Sequence, residues 1–494
     1  MATQSASLPL AIPPLDRAGG ASLQDQLYAA LRLAVLEGRL SAGARLPPTR
    51  LLATDLGVSR NTVAAVFDRL VAEGYLEARV GDGTYVTRSL PDDLLHARRP
   101  AGHAVRLRHR DDGLSERGRL LLANPVSMER NPDLPRAFRP ASPNVDAFPR
   151  REWARLVDRR LRQSGSGLLG YGDPAGHRPL REAIAAYLGM TRGVNCEPGQ
   201  IIVVGGSQQG LDLVARMLLD PGDVAAIEEP GYPGARAALL AAGARLLPIP
   251  VDGEGIVVGP ALAGARLIYT TPSHQFPLGA TMSLSRRLAL LAHAAATDAW
   301  VLEDDYDGEY RYSGRPLPAL QGLDADGRVI YLGTFSKVLF PALRIGYLVV
   351  PPPLVDAFTA ARTLADRGSP LLEQAALADF VAGGHFARHI RRTRLLYAER
   401  QRVLVESARR ALGGLLEVGP AEAGMHLVGR LPAGTDDQLA WRRAAANGVS
   451  SLPLSACALG EAPFPGLLLG YAAPNADEIR SGVERLRRAL ATLR

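Results

Sequence analysis

Lysine is almost missing from this chain: Lys337 is the single lysine among 57 Lys and Arg side chains. Arginine serves well in ion pairs and phosphate contacts, but its guanidinium does not deprotonate in proteins and forms no imine with an aldehyde. Lysine chemistry, if the chain has any, therefore rests on one residue. Cysteine is nearly as scarce. Cys196 and Cys457 are the only two, too few for a disulfide framework and not in a metal-type spacing, so both read as reduced structural thiols. No apolar run approaches the roughly 18 residues that would cross a membrane. Residues Met1 to Pro14 are small, apolar and broken by proline, with no basic-then-apolar leader, and the expectation is a cytoplasmic protein.

What is present is length and apolar content. At 494 residues and 47% hydrophobic, the chain is too long for one ordinary core, and two or three packed domains are expected. The net charge of +7 permits a nucleic-acid partner without demonstrating one. Near the start, Leu27, Leu31, Ala34 and Val35 recur at helical spacing and Gly38 follows as a stop. Pro47 and Pro48 lead a second short helix through Leu56, with Thr49 placed to cap it. Gly57-Val58-Ser59 then turns into a third helix that Ser59 caps, with Val63, Val66, Phe67 and Leu70 as its apolar face. Two helices joined by a short glycine turn, the second opening on Arg60, Asn61 and Thr62, have the pattern of a helix-turn-helix that offers its N-terminal side chains to the major groove. Tyr75 to Val80 and Thr84 to Thr87, joined by Gly81-Asp82-Gly83, read as a hairpin, which completes a winged helix.

Residues 89–135 hold Pro91, His96 and alternating Arg and His with no sustained apolar period, the composition of a linker. Beyond residue 200 seven short apolar runs alternate with helical stretches, at 201–204, 224–227, 246–249, 267–270, 300–302, 329–332 and 345–350. Such alternation predicts an α/β domain with a largely parallel sheet, whose ligands bind at the strand ends. The polar turns after these runs fit that rule. Gly205-Gly206-Ser207-Gln208 enters a helix, where backbone amides and the helix N-terminus favour an anion. Glu303-Asp304-Asp305-Tyr306 supplies a carboxylate able to keep a pyridine nitrogen protonated, and a phenol beside it. Ser336-Lys337, with Arg344 seven residues on, adds a hydroxyl, an imine-forming amine and a guanidinium. Together these are a constellation for pyridoxal 5′-phosphate.

The segment from residue 22 to 88 resembles the GntR type of bacterial regulator, through Leu46-Pro-Pro-Thr-Arg50, Leu56-Gly-Val-Ser-Arg60-Asn-Thr-Val63 and Gly81-Asp-Gly-Thr-Tyr-Val86. The resemblance implies DNA contacts from Arg50, Ser59, Arg60, Asn61 and Thr62, with Gly83 letting the wing approach a backbone. Residues 136–494 resemble a fold-type-I aminotransferase through Tyr171-Gly-Asp-Pro-Ala-Gly176, Glu229-Pro-Gly-Tyr232, Thr271-Pro-Ser-His274-Gln-Phe-Pro277 and Gly333-Thr-Phe-Ser-Lys337. That likeness makes Lys337 the Schiff-base lysine, pairs Asp304 with the pyridine nitrogen and Tyr306 with the phenolic oxygen, and stacks Tyr232 on the ring. It gives the phosphate to Ser207, Gln208, Ser336 and Arg344, and places His274 in the cofactor site. The fusion of the two parts resembles the MocR subfamily.

The architecture so implied is α/β. It comprises a flexible tail (1–20), a winged helix-turn-helix (21–88), the linker (89–135) and a pyridoxal-phosphate domain (136–494) with a mostly parallel seven-stranded sheet and a smaller C-terminal α+β subdomain. The implied function is a transcriptional regulator, most often a head-to-tail homodimer. It binds operator DNA and senses pyridoxal phosphate or an amino compound rather than turning it over; the alternative is a working aminotransferase with an attached DNA-binding module. Two departures favour sensing. Transaminases of this type hold the substrate carboxylate with an arginine two residues before the glycine of a Leu-Gly-Phe/Tyr motif; here Leu468 stands there, before Gly470-Tyr471. The asparagine of their Asn-Pro-Thr-Gly motif is replaced by Phe276. Arg236 is one candidate to substitute.

Overall fold

The computed structural model describes residues 13–17, 20–79, 81–90, 113–123, 137–163, 165–314 and 317–493. The chain divides into two compact units, Met1–Asp112 and Gly113–Arg494. In the first, α1 (Leu23–Leu36), α2 (Thr49–Leu56) and α3 (Arg60–Ala72) turn their periodic apolar faces into one core. Leu27 and Leu31 meet Leu52, Val63, Val66 and Leu70 there. The Ser59 hydroxyl accepts the Thr62 amide at 3.0 Å and so starts α3 where the sequence places it. The expected cap at Thr49 is not formed. Pro48 takes the cap position and offers no side chain, so Thr49 is already helical. Gly57 turns α2 into α3 with φ +63°, the left-handed conformation that favours glycine. Strands β1 (Leu76–Arg79) and β2 (Gly83–Val86) pair antiparallel from Leu76↔Val86 to Arg79↔Gly83. The segment around Arg45 bonds to β2 on its other side, the Leu46 amide donating to the Thr84 carbonyl at 2.8 Å.

Two expectations about connecting segments change. Within the tail, Leu15 packs on the winged-helix core, the Asp16 amide donates to Gln26 Oε1 at 2.8 Å, and Arg17 donates to the Gly57 carbonyl at 2.6 Å. The end of the tail is thus docked on its own unit, and the remainder lies outside the described residues. Within the linker, Glu116–Ala123 forms a helix, α4, that packs on helix Pro233–Ala241. Ser115 Oγ accepts the Gly118 amide at 3.1 Å and nucleates it. Linker residues 91–112 and 124–135 lie outside the described residues.

The second unit is built on β3 (Ile201–Val204), β4 (Val224–Glu229), β5 (Arg245–Asp252), β6 (Gly255–Ile256), β7 (Leu267–Thr270), β8 (Trp300–Asp305), β9 (Val329–Thr334) and β10 (Gly346–Val349). They form one sheet in the order β3-β10-β9-β8-β7-β4-β5-β6. All seven apolar runs are strands of it. The eighth, β6, is a two-residue return of the chain along β5, too short to show a period. Neighbours from β9 to β5 are parallel, and β10 is antiparallel to both β3 and β9. Inserting one reversed strand leaves β3 pointing the same way as the rest. The ends of β3, β4, β7, β8 and β9 that carry the polar turns therefore share one edge. Apolar clusters cover both faces, which is why these strands read as continuous hydrophobic runs. The C-terminal part is the expected α+β layer, with β11 (Glu417–Val418), β12 (His426–Arg430), β13 (Leu452–Pro453) and β14 (Gly466–Gly470) in the antiparallel order β11-β12-β14-β13. Helices His385–Ala411 and Ala476–Ala491 pack together against it.

Candidate functional site

Three consecutive carboxylates end β8, and strand alternation sends the middle one to the opposite face from its neighbours. Glu303 accepts the Leu320 and Gln321 amides at 2.9 and 3.0 Å, and Asp305 accepts from Arg192 Nε at 2.8 Å and Tyr331 at 2.6 Å; both are structural. Among the described residues Asp304 accepts one side-chain bond and pairs with no arginine. Its Oδ2 accepts from the Tyr269 hydroxyl at 2.9 Å, while Oδ1 is buried without a hydrogen-bond partner. Burial pushes its carboxyl up to about 7, with Asp305 and Asp307 adding to the rise. At the end of β9, Lys337 donates from Nζ to the Ala141 carbonyl at 3.2 Å. Burial holds its amine below the ordinary lysine range, against the pull of Asp304 and Asp307. Beside it the Ser336 hydroxyl is buried with no partner.

Tyr306 is held by an imidazole. His274 Nδ1 lies 2.9 Å from the Tyr306 oxygen and 3.0 Å from Asp307 Oδ2. In the tautomer that carries its proton on Nδ1, that proton points at these two oxygens and the Tyr306 hydroxyl keeps its own proton to donate elsewhere. His274 thus sits behind Tyr306, as a positioning group. Gly424 accommodates it: a Cβ there would fall 1.9 Å from the His274 ring.

The helix Ser207–Leu218 opens at Gly206 (φ +100°) with no side-chain cap, so its first amides face the turn. Arg344 closes this turn by donating to the Gly205 carbonyl at 2.7 Å, and a Cβ on Gly206 would stand 2.9 Å from its guanidinium. Ser207 begins the helix. The Gln208 side chain is committed to the Gly234 carbonyl at 2.9 Å, leaving its backbone amide for an anion. Tyr232 packs edge-on to Phe276 at 5.5 Å. Phe276 and Leu468 meet in one apolar cluster with Leu454 and Cys457. Arg236 donates to the Ala458 carbonyl at 3.1 Å.

In the winged helix, Arg50, Arg60 and Asn61 are exposed and Thr62 is half-buried. The hydroxyls of Ser59 and Thr62 lie 2.8 Å apart, so both also serve the cap of α3. Gly83 has φ +132°, and a Cβ there would sit 2.9 Å from Arg45 Nε. The glycine therefore makes room for an arginine that sequence reasoning passed over. Also missed were Tyr269, a hydroxyl inside an apolar run, and Asp307, the residue that follows Tyr306. Glu228 was missed as well. It accepts from the hydroxyls of Thr270 and Thr271, both at 2.6 Å, and so holds the loop that carries His274.

These residues fit pyridoxal 5′-phosphate. A protonated ring nitrogen would give Asp304 Oδ1 the partner it lacks, a phosphate would give one to Ser336 Oγ, and Lys337 would be the amine for an aldehyde. Among the described residues no group of side chains could hold a metal ion, and no helix is long and apolar enough to cross a membrane.

Fold and site thus define a winged helix joined to an α/β unit of the pyridoxal-phosphate aminotransferase class. Comparison with known proteins agrees for both parts. Residues 23–86 match the gntR family of bacterial regulatory proteins, and residues 144–486 match aminotransferase class I and II. The chain is 48% identical over 482 residues to the probable rhizopine catabolism regulatory protein MocR of Rhizobium meliloti, covering 97% of this chain and 96% of that one. It is 32% identical to the HTH-type pyridoxine biosynthesis transcriptional regulator PdxR of Corynebacterium glutamicum, over 96% and 97% of the two chains. Among solved structures, kynurenine aminotransferase of Pyrococcus horikoshii, in complex with PMP, aligns with a TM-score of 0.68 at 30% identity, over 81% of this chain and 99% of that one. The chain belongs to the MocR subfamily of GntR-type transcriptional regulators.

Proposed function

We propose that this regulator holds pyridoxal 5′-phosphate at Lys337 and that the state of this site sets the affinity of the winged helix for operator DNA. The observation that carries the reading is that Asp304 Oδ1 and Ser336 Oγ are buried without hydrogen-bond partners, Asp304 acting on the amine of the chain's one lysine and Ser336 preceding it. When bound, the cofactor supplies an aldehyde that condenses reversibly with a primary amine. Lys337 offers that amine, and Asp304 keeps a proton on the ring nitrogen. Tyr306, steadied by His274, donates to the phenolic oxygen, and Tyr232 covers a ring face. Ser207, Ser336, Arg344 and the amide of Gln208 hold the phosphate.

Arg50, Ser59, Arg60, Asn61 and Thr62 contact DNA, with the Gly83 turn at the sugar-phosphate backbone. In this reading residues 21–88 serve DNA and 136–494 the cofactor, and the protein works in the cytoplasm as a head-to-tail homodimer. The small-molecule signal is pyridoxal phosphate or an amino compound. Borohydride reduction followed by mass analysis tests the site: one pyridoxyl adduct on the peptide containing Lys337 is expected, and none would overturn the reading. The fold shared with a kynurenine aminotransferase supports a second reading, a working enzyme. Incubation with amino acids and a keto acid decides it, since many turnovers per chain would replace sensing by catalysis.

A further inference from the structure

Arg39, Arg69 and Arg79 of the winged-helix unit each pair with a glutamate, whereas Arg45 is exposed and, among the described residues, makes no ion pair. Its backbone is fixed on β2 from both sides. The Val86 amide donates to the Ala44 carbonyl at 2.9 Å and the Leu46 amide to the Thr84 carbonyl at 2.8 Å. Leu46 is buried, so strand alternation turns Arg45 to the outer face of the wing, opposite Tyr85. From there the side chain runs toward the hairpin turn. A Cβ on Gly83 would stand 2.9, 3.3 and 3.5 Å from Arg45 Nε, Nη2 and Cζ, so the guanidinium lies against bare Gly83 backbone, where φ of +132° favours glycine. The other charges of this face are engaged. Arg79, which pairs with Glu77, lies over the Tyr85 ring at 4.5 Å, and Asp82 raises the Tyr85 phenol through a hydrogen bond. What the turn offers a ligand is therefore one cation with unused N–H groups beside backbone that no side chain covers. That is the chemistry of a contact to a phosphate oxygen.

We infer that Arg45 is a DNA-phosphate contact of the wing and that Gly83 serves DNA binding by seating this guanidinium at the hairpin turn. The inference rests on the reading of the winged helix as the DNA-binding unit. It is tested by titrating full-length protein, with and without pyridoxal phosphate, against duplex DNA from upstream of the gene and against a random-sequence duplex, at salt from about 50 to about 200 mM. Each phosphate neutralised contributes about 0.9 to the slope of log affinity against log salt. Arg45→Ala and Arg45→Gln are each expected to flatten that slope by about 0.9 for each winged helix bound, so that their deficit against wild type narrows about threefold to fourfold per winged helix across this range. Both duplexes should lose affinity together, with their ratio held within about twofold, and Arg45→Lys should keep the wild-type slope. A purely structural role for Arg45 would weaken binding equally at every salt concentration. Neutral variants with the wild-type slope therefore overturn the inference, as does an Arg45→Lys slope equal to that of Arg45→Ala. A loss confined to one duplex also overturns it, since Arg45 would then read bases. Wild-type protein that binds neither duplex overturns the DNA-binding reading and this inference together.

Discussion

The α/β unit buries arginine in a way that the winged helix does not at Arg50 and Arg60. Arg50 and Arg60 stand exposed at the start of α2 and α3, where charge is available to a phosphate or a base edge and is screened by salt. Arg192, Arg287 and Arg362 are 7%, 1% and 0% exposed, and each is tied to carbonyls or carboxylates inside the fold. Arginine therefore serves at the surface in the winged helix, and the α/β unit adds to its exposed arginines three that are internal scaffolding. The α/β site keeps its reactivity in groups that arginine cannot replace. They are Lys337, a carboxylate raised to about 7 and a serine hydroxyl without a partner. In the proposed reading the first unit reads DNA with solvated side chains, and the second offers a ligand a preorganised buried site.

Substitutions can sharpen or break that contrast. Lys337→Ala is expected to remove the borohydride-trapped adduct altogether, while DNA binding in the absence of cofactor keeps its affinity; mass analysis and a fluorescence titration of operator DNA read the two. Asp304→Ala should weaken cofactor binding about tenfold to a hundredfold, as expected when a charge-assisted bond to a buried group is lost. Arg60→Ala should cost about 1–3 kcal/mol in discrimination between operator and random DNA, with cofactor affinity unchanged. If Arg60→Ala left DNA binding intact, the recognition helix would be misassigned.

The cofactor-free protein should also respond to pH. Asp304, Glu303 and Glu309 each have a folded pKa of about 7, above the unfolded value because of burial. Through these three groups the folded state holds more protons than the unfolded state between about pH 4 and pH 7, offset in part below about pH 6.5 by His389 and His426, which burial lowers to about 4 and about 3. Stability should fall as pH rises through that window. Loading with pyridoxal phosphate should flatten the slope by giving Asp304 a cationic partner, and melting curves from pH 5 to pH 8 check both statements. The smallest effect is local: Ser59→Ala should cost about 1 kcal/mol in the stability of the winged helix, through loss of the α3 cap.

Much of this was legible in the sequence, for physical reasons. The seven strands of the large sheet announce themselves because both of their faces are covered. Ser59 and Gly57 mark the helix-turn-helix because capping and a left-handed turn each require particular residues. Motif spacing brought Lys337, Asp304, Ser336 and Arg344 to one sheet edge because parallel strands share that edge. Side-chain partners were not legible. Nothing local in the sequence says that Gln208 bonds to Gly234, that Tyr269 reaches Asp304, or that Gly83 clears a path for Arg45. The docking of Arg17 on Gly57 and the helix Glu116–Ala123 also escaped, because each depends on contacts made far along the chain.

The coupling of the two units is tested most directly by titrating DNA from upstream of the gene with wild-type protein and with Lys337→Ala, each with and without pyridoxal phosphate. Affinity should change on adding the cofactor to wild-type protein and stay constant in the variant. The same affinity in all four titrations, or an equal cofactor effect in both proteins, would contradict control of the winged helix by the Lys337 site.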